Sequence, residues 1–292
     1  MQHSPSAPVG IFDSGIGGLS VLQHIRQLLP HEKLIYFADS GFAPYGEKSE
    51  QTIVARCQSI TEFLLQLHCK AIVIACNTAT AAAARVLRPQ YPAQILIGME
   101  PGLKPACQHT RSGVVGVMAT QGTLNSLKFR NLRDQLSDVH QVRFVQQACT
   151  GLADQIEKAE FSSPKTLAML EQYLTPLLES GADTIVLGCT HYPFVEQQIR
   201  ELIREKHRSG PQIELIDTGL AVARYLQTQL QDHGLLAIDA AIPGITAFTT
   251  GTIQHLEAAL TQLLPHLHTP VSVRSAAGKT PVADSYPGSE FS

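Results

Sequence analysis

Short apolar, β-branched runs alternate with longer segments of helical spacing along almost the whole chain. The runs at 9–12, 34–37, 71–75, 95–97, 114–118, 142–145, 184–187, 214–216 and 245–248 have the length and continuity of buried strands. Between them, 19–29, 50–67, 124–136, 165–179, 195–206, 220–231 and 252–264 place apolar residues on one helical face, and an Ala-rich stretch, 80–85, reads as a further helix. Strands alternating with helices in this way predict parallel sheets covered on both faces. In such folds ligands bind beyond the carboxyl ends of the strands.

The pattern also repeats itself. Val9-Gly10-Ile11-Phe12-Asp13 echoes Val115-Gly116-Val117-Met118-Ala119, and Val73-Ile74-Ala75-Cys76-Asn77-Thr78 echoes Val186-Leu187-Gly188-Cys189-Thr190-His191, in the same order and at similar separations. The expected architecture is therefore α/β: two similar three-layer domains with mostly parallel sheets, related by a pseudo-twofold and facing each other across a cleft. The first domain is expected over 1–98 with a return over 212–266, and the second over 99–211. Residues 267–292, rich in Ser, Pro, Ala and Gly, are expected to be a polar tail, disordered or in part a cloning remnant.

Composition narrows the function classes. The 292 residues are 44% apolar and carry a net charge of -3 with no long Lys/Arg run, so neither a nucleic-acid surface nor an anionic membrane is an expected partner. No apolar stretch approaches the ~18 residues needed to span a bilayer, and the first eight residues lack the features of a secretion signal, so a cytoplasmic location is expected. The six cysteines contain no CxxC and should be free thiols there. They also lack zinc-ligand spacing, and no metal site is expected.

Two of these cysteines stand where a strand ends. Cys76 follows the run at 71–75 and precedes Asn77 and Thr78, which can cap the next helix; Cys189 repeats the arrangement and adds His191. A thiol near a helix N-terminus, or beside a His, is favoured as thiolate. A single strand-end Cys is more often a small core residue; two in echoing contexts fit a pair of proton carriers. The turn Asp13-Ser14-Gly15-Ile16-Gly17-Gly18 lets backbone N–H groups approach a small anion at the start of the first helix. It lacks GxGxxG, only Asp39 offers a ribose-binding acid after the second strand, and no GK[ST] follows the turn, so a carboxylate or an ammonium group is the more natural ligand. Asp13 could bind an ammonium, polarise a thiol, or simply cap the turn.

Together these residues resemble a family. Ile11-Phe12-Asp13-Ser14-Gly15-Ile16-Gly17-Gly18-Leu19-Ser20, Pro44-Tyr45-Gly46, Ala75-Cys76-Asn77-Thr78-Ala79 and Gly188-Cys189-Thr190-His191-Tyr192-Pro193 are similar to motifs of the glutamate racemases, as are Ala119-Thr120-Gln121-Gly122-Thr123 and Glu157. The resemblance runs over about residues 9–264, with an altered setting around Glu157, where Ala148-Cys149-Thr150-Gly151-Leu152 replaces the Pro and aliphatic residues of many members.

The resemblance implies a cofactor-independent enzyme that interconverts L- and D-glutamate and supplies D-glutamate to peptidoglycan. It implies Cys76 and Cys189 as catalytic bases, the first facing the α-proton of the D-substrate and the second that of the L-substrate. Asp13 is implied as partner of Cys76, and His191, steered by Glu157, as partner of Cys189. Ser14, Pro44, Tyr45, Gly46, Asn77, Thr78, Thr120, Thr123 and Thr190, with Asp13, match substrate-binding positions. A homodimer and a peptidoglycan-precursor activator, suggested by Pro44-Tyr45-Gly46-Glu47-Lys48-Ser49-Glu50, stay open. So do an aspartate or hydantoin racemase, an arylmalonate-type decarboxylase, and a non-catalytic two-lobed protein binding an acidic metabolite. Cys57, Cys69 and Cys107 are expected to be packing or partly exposed thiols; Cys149 follows a strand and could sit near the cleft, with a structural role favoured.

Overall fold

The computed structural model describes residues 4–206, 212–238, 242–267 and 269–278. Ten strands form two sheets. The strands are β1 (Val9–Asp13), β2 (Leu34–Ala38), β3 (Ala71–Ile74), β4 (Ile95–Gly98), β5 (Val114–Ala119), β6 (Arg143–Ala148), β7 (Thr184–Gly188), β8 (Glu214–Ile216), β9 (Ile245–Thr249) and β10 (Val271–Ser275). The helices are α1 (Leu19–Leu28), α2 (Glu50–Gln66), α3 (Asn77–Gln90), α4 (Leu103–His109), α5 (Gln121–Asn125), α6 (Leu127–His140), α7 (Leu152–Glu157), α8 (Pro164–Glu179), α9 (Glu196–Lys206), α10 (Gly219–Asp232) and α11 (Ile253–Leu263).

The first sheet has the order β10-β9-β2-β1-β3-β4 and the second β6-β5-β7-β8, and every pairing is parallel. The run β2-β1-β3-β4 is matched position for position by β6-β5-β7-β8. Even the register agrees with the sequence echo: Phe12 lies opposite Ile74, and Met118 opposite Leu187. Alternate residues of each strand feed different cores. Ile11 and Val73 pack on α1, α10 and α11, whereas Phe12 and Ile74 pack with α2 and α3. Met118 and Leu187 face α7, α8 and α9, while Val117 and Val186 face α4, α5 and α6. Strands buried on both faces are continuous apolar runs for this reason.

Three expectations change. The segment 267–292 is not wholly a polar tail: Val271–Ser275 adds an edge strand beside β9, its two valines packed on the core. Residues 279–292, including the proposed cloning remnant, lie outside the described residues. The return to the first domain does not begin at 212, because β8 pairs with β7 in the second sheet. The helix expected over 124–136 is two helices, since Ser126 is extended and its hydroxyl caps α6 by accepting from Phe129 N at 3.1 Å.

The chain crosses from one lobe to the other after β4 and back after β8. The two crossings lie side by side: a Cβ on Gly102 would sit 2.9 Å from Ile216 and 3.1 Å from Thr218. Among the described residues no helix is long and apolar enough to cross a membrane.

Candidate active site

Cys76 stands two residues beyond the end of β3 and is the N-cap of α3. Its sulfur accepts from Ala79 N at 3.5 Å and donates to Ser14 Oγ at 3.8 Å. The helix N-terminus expected beside it is thus present, but it does not decide the charge. Burial pushes the Cys76 thiol well above its ordinary value and the nearby Asp13 carboxylate pushes the same way, against the smaller pull of Ala79 N–H. Asp13, at the end of β1, accepts from Ser14 N at 2.7 Å, from Gly18 N, and from Thr190 Oγ1 of the other lobe at 3.3 Å. Burial raises this carboxyl too, against the lowering influence of His191 and Cys76.

Cys189 occupies the equivalent position after β7. Instead of a long helix, a 3₁₀ turn at Tyr192–Val195, with Pro193 inside it, follows. Its partner is a side chain: Cys189 Sγ lies 3.6 Å from His191 Nδ1, and His191 Nε2 lies 2.9 Å from Glu157 Oε2. Burial alone would lower His191, yet the hydrogen bonds to Cys189 and Glu157 hold it well above the ordinary imidazole value. Burial would likewise raise Glu157, but His191, Ile16 N–H and Ser40 draw it down. This chain of three groups is built to keep an imidazolium beside a sulfur.

Both cysteines line one cavity between the two sheets, about 700 Å³ of atom-free space counted out to its mouth. Ser14, Pro44, Tyr45, Gly46, Asn77, Thr78, Thr120, Glu157, Thr190 and His191 line it with them. Asp13 and Thr123 stand behind that surface. Thr123 shares hydrogen bonds with Thr78 at 3.3 Å and Thr120 at 3.0 Å, and Thr78 and Thr120 are themselves 2.9 Å apart, so three hydroxyls join the lobes at one wall. Tyr45 reaches the cavity only in part. Its hydroxyl donates to Asp39 Oδ2 at 2.5 Å, inside a buried group in which Arg56 Nη2 meets Asp39 Oδ1 at 2.8 Å. Asp39, the one acid a ribose would have needed, is thereby consumed.

The Gly-rich turn does bind a carboxylate through its backbone, but the carboxylate is the protein's own: Ile16 N donates to Glu157 Oε2 at 2.9 Å. The glycines permit this approach. A Cβ on Gly15 would lie 2.3 Å from Glu157, and one on Gly17 2.4 Å from His191. Lining residues not foreseen are Ala43, Glu47, Gln121, Thr150, Gly151, Ala153 and Asp154. Those at 150–154 follow β6 and Cys149, so the strand-end rule carried on past that cysteine would have found them. Cys149, taken as structural, is on the cavity wall, and burial pushes its thiol far up. All six cysteines are free, and among the described residues no cluster of three or more His, Cys, Asp or Glu side chains could hold a metal ion.

Comparison with known proteins gives this geometry a setting. The sequence pattern of the Asp/Glu/Hydantoin racemase family matches residues 14–226. A glutamate racemase of Ectopseudomonas mendocina is 52% identical over 263 residues, covering 90% of this chain and 97% of the relative. The glutamate racemase isoform RacE1 of Bacillus anthracis superposes with a TM-score of 0.81 at 31% identity, covering 95% of this chain and 99% of that one. The Escherichia coli glutamate racemase, solved with L-glutamate and the activator UDP-MurNAc-ala, gives a TM-score of 0.76 at 30% identity over 92% of this chain and 97% of its own. This chain belongs to the Asp/Glu/Hydantoin racemase family and is an amino-acid racemase.

Proposed function

We propose that this racemase interconverts L- and D-glutamate by a two-base mechanism, Cys76 and Cys189 exchanging a proton with Cα from opposite faces. The single observation that carries the reading is that the two thiols, each at the end of the corresponding strand of its own sheet, line one cavity. Racemisation removes a weakly acidic α-proton from one face and returns one to the other, which two opposed carriers accomplish without reorienting the substrate.

The electrostatics suit unequal roles. His191, whose Nδ1 stands beside the Cys189 sulfur and whose Nε2 meets Glu157, is held well above its ordinary value, so the reading places the base for L-glutamate at Cys189; burial and Asp13 push Cys76 up and favour it there as the thiol. In this resting state Cys189 takes the α-proton of L-glutamate while Cys76 delivers its own to the opposite face; for D-glutamate the states are exchanged. Hydroxyl and amide donors from Ser14, Asn77, Thr78, Thr120 and Thr190 hold the two carboxylates, and this closed setting strengthens their hold on the developing carbanion. The proton carriers are side chains, so the reading contains no pyridoxal phosphate and no metal.

The product serves peptidoglycan synthesis in the cytoplasm. Activation by a peptidoglycan precursor belongs to the same reading, because the Escherichia coli relative was solved with one and the segment Pro44–Glu50 resembles that of activated enzymes; adding the precursor to the assay checks it. Circular dichroism of L-glutamate with purified protein in deuterated buffer should show loss of optical activity as deuterium enters at Cα. Equal or faster turnover of aspartate or a hydantoin would reject the substrate assigned here.

A further inference from the structure

We propose that Ser40, a residue of the first lobe, is a positioning residue for the Cys189 side of the reaction: it holds the Glu157 carboxylate across the lobe boundary and, through it, the His191 ring. The inference rests on the two-thiol reading above. Glu157 belongs to the second lobe, at the end of α7, yet two of its three hydrogen bonds come from the first. Ile16 N donates to Oε2 and Ser40 Oγ to Oε1, both at 2.9 Å, while Oε2 also meets His191 Nε2 at 2.9 Å. His255 Nε2, on α11 of the first lobe and partly exposed, stands 3.9 Å from Oε1.

A carboxylate gripped at one oxygen only can rotate about its terminal torsion, which is broad. Ser40 fixes the second oxygen and therefore the direction in which Oε2 faces the imidazole. The ring, in turn, lies against Gly17, where a side chain would meet its Nδ1 and Cε1 atoms. Cys189, His191 and Glu157 thus come from one lobe but are aligned by the other. On the other side the Cys76 sulfur is held by Ser14 and Ala79 of its own lobe, and the cross-lobe bond to its partner Asp13 comes from Thr190, so Ser40 takes no part there. Ser40 should act on one of the two proton transfers and spare the other.

The test is a pair of primary isotope effects. Because the enantiomers are equal in free energy, any variant must change kcat/KM equally in the two directions, so rates alone cannot locate the damage. Substrates carrying deuterium at Cα can: deprotonation of the L-form reports Cys189, and of the D-form Cys76. For Ser40→Ala we expect kcat/KM to fall about tenfold, with the isotope effect from L-glutamate larger than in the unaltered enzyme and that from D-glutamate smaller. Ser40→Thr, which keeps the hydroxyl, should restore both, and an unchanged melting temperature will show that the fold is intact. Isotope effects that stay at their original ratio, or a full rate in Ser40→Ala, would overturn the inference while leaving the two thiols standing. Substantial racemisation by Cys189→Ala would instead overturn the two-thiol reading, and this inference with it.

Discussion

The two lobes share a strand order, a register and a strand-end cysteine, but they surround that cysteine with opposite electrostatics. In the first lobe, β3 runs into a fourteen-residue helix, and the thiol is met by a backbone N–H and backed by a buried acid. In the second, the chain after β7 turns through a short 3₁₀ segment, and the thiol is met by a histidine tied to a glutamate. A duplicated scaffold therefore fixes where two sulfur atoms sit, and a handful of side chains gives each its own surroundings. Reversible chemistry on mirror-image substrates does not require a mirror-symmetric site.

The most severe way to break the comparison is to remove one sulfur. Cys76→Ala and Cys189→Ala should each lower racemisation by about 10³-fold or more, while Cys76→Ala still exchanges the α-proton of L-glutamate with deuterated solvent and Cys189→Ala that of D-glutamate. NMR of the two enantiomers checks this, and exchange of both by both variants would dissolve the distinction. Next comes the ion pair behind the first lobe's cavity wall. Arg56→Ala leaves Asp39 buried and unpaired and should cost about 3–5 kcal/mol of stability, read as a fall in the denaturation midpoint; a change under 1 kcal/mol would show the wall to be indifferent to it.

Glu157→Gln should lower kcat by about 10²-fold and remove the anion that raises His191, so the alkaline limb of the rate profile moves to lower pH. The sign for stability follows from the same two groups. Glu157, drawn down on folding, contributes above its ordinary value and loses that contribution as pH falls through its folded value. His191, raised on folding, contributes fully below its ordinary value near 6.5 and loses that contribution as pH rises through its folded value. The melting-temperature gap between the native enzyme and Glu157→Gln should accordingly be widest between about pH 4.5 and 6.5 and narrow on either side; a gap constant with pH would rule out the ion pair. The smallest effect belongs to the opposite wall, where Thr123→Val should cost about 1 kcal/mol with little change in isotope effects.

Strands were legible because both faces of each sheet are buried, which turns every strand into an apolar run. The edge strand Val271–Ser275 was not: its alternating valines are only half-buried and stand in a polar context. Pairing partners were equally hidden, so 214–216 read as a strand but not as a member of the second sheet. Strand-end position exposed Cys76, Cys189 and Asp13, and the local spacing of Cys189 and His191 survived into contact. What sequence could not carry is contact between distant segments. Ser40 and Glu157 are 117 positions apart, and Tyr45 looked free until Asp39 claimed its hydroxyl. The glycines of the first turn suggested a ligand's carboxylate or ammonium group, without revealing that Glu157 of the chain itself would take up one of the backbone donors there.

The side-by-side passage of the chain at Gly102 and Ile216 has a mechanical consequence. Both covalent links between the lobes pass this one place, so a change there acts on both lobes at once. A side chain at 102 would meet Ile216 and Thr218 and force the two links apart.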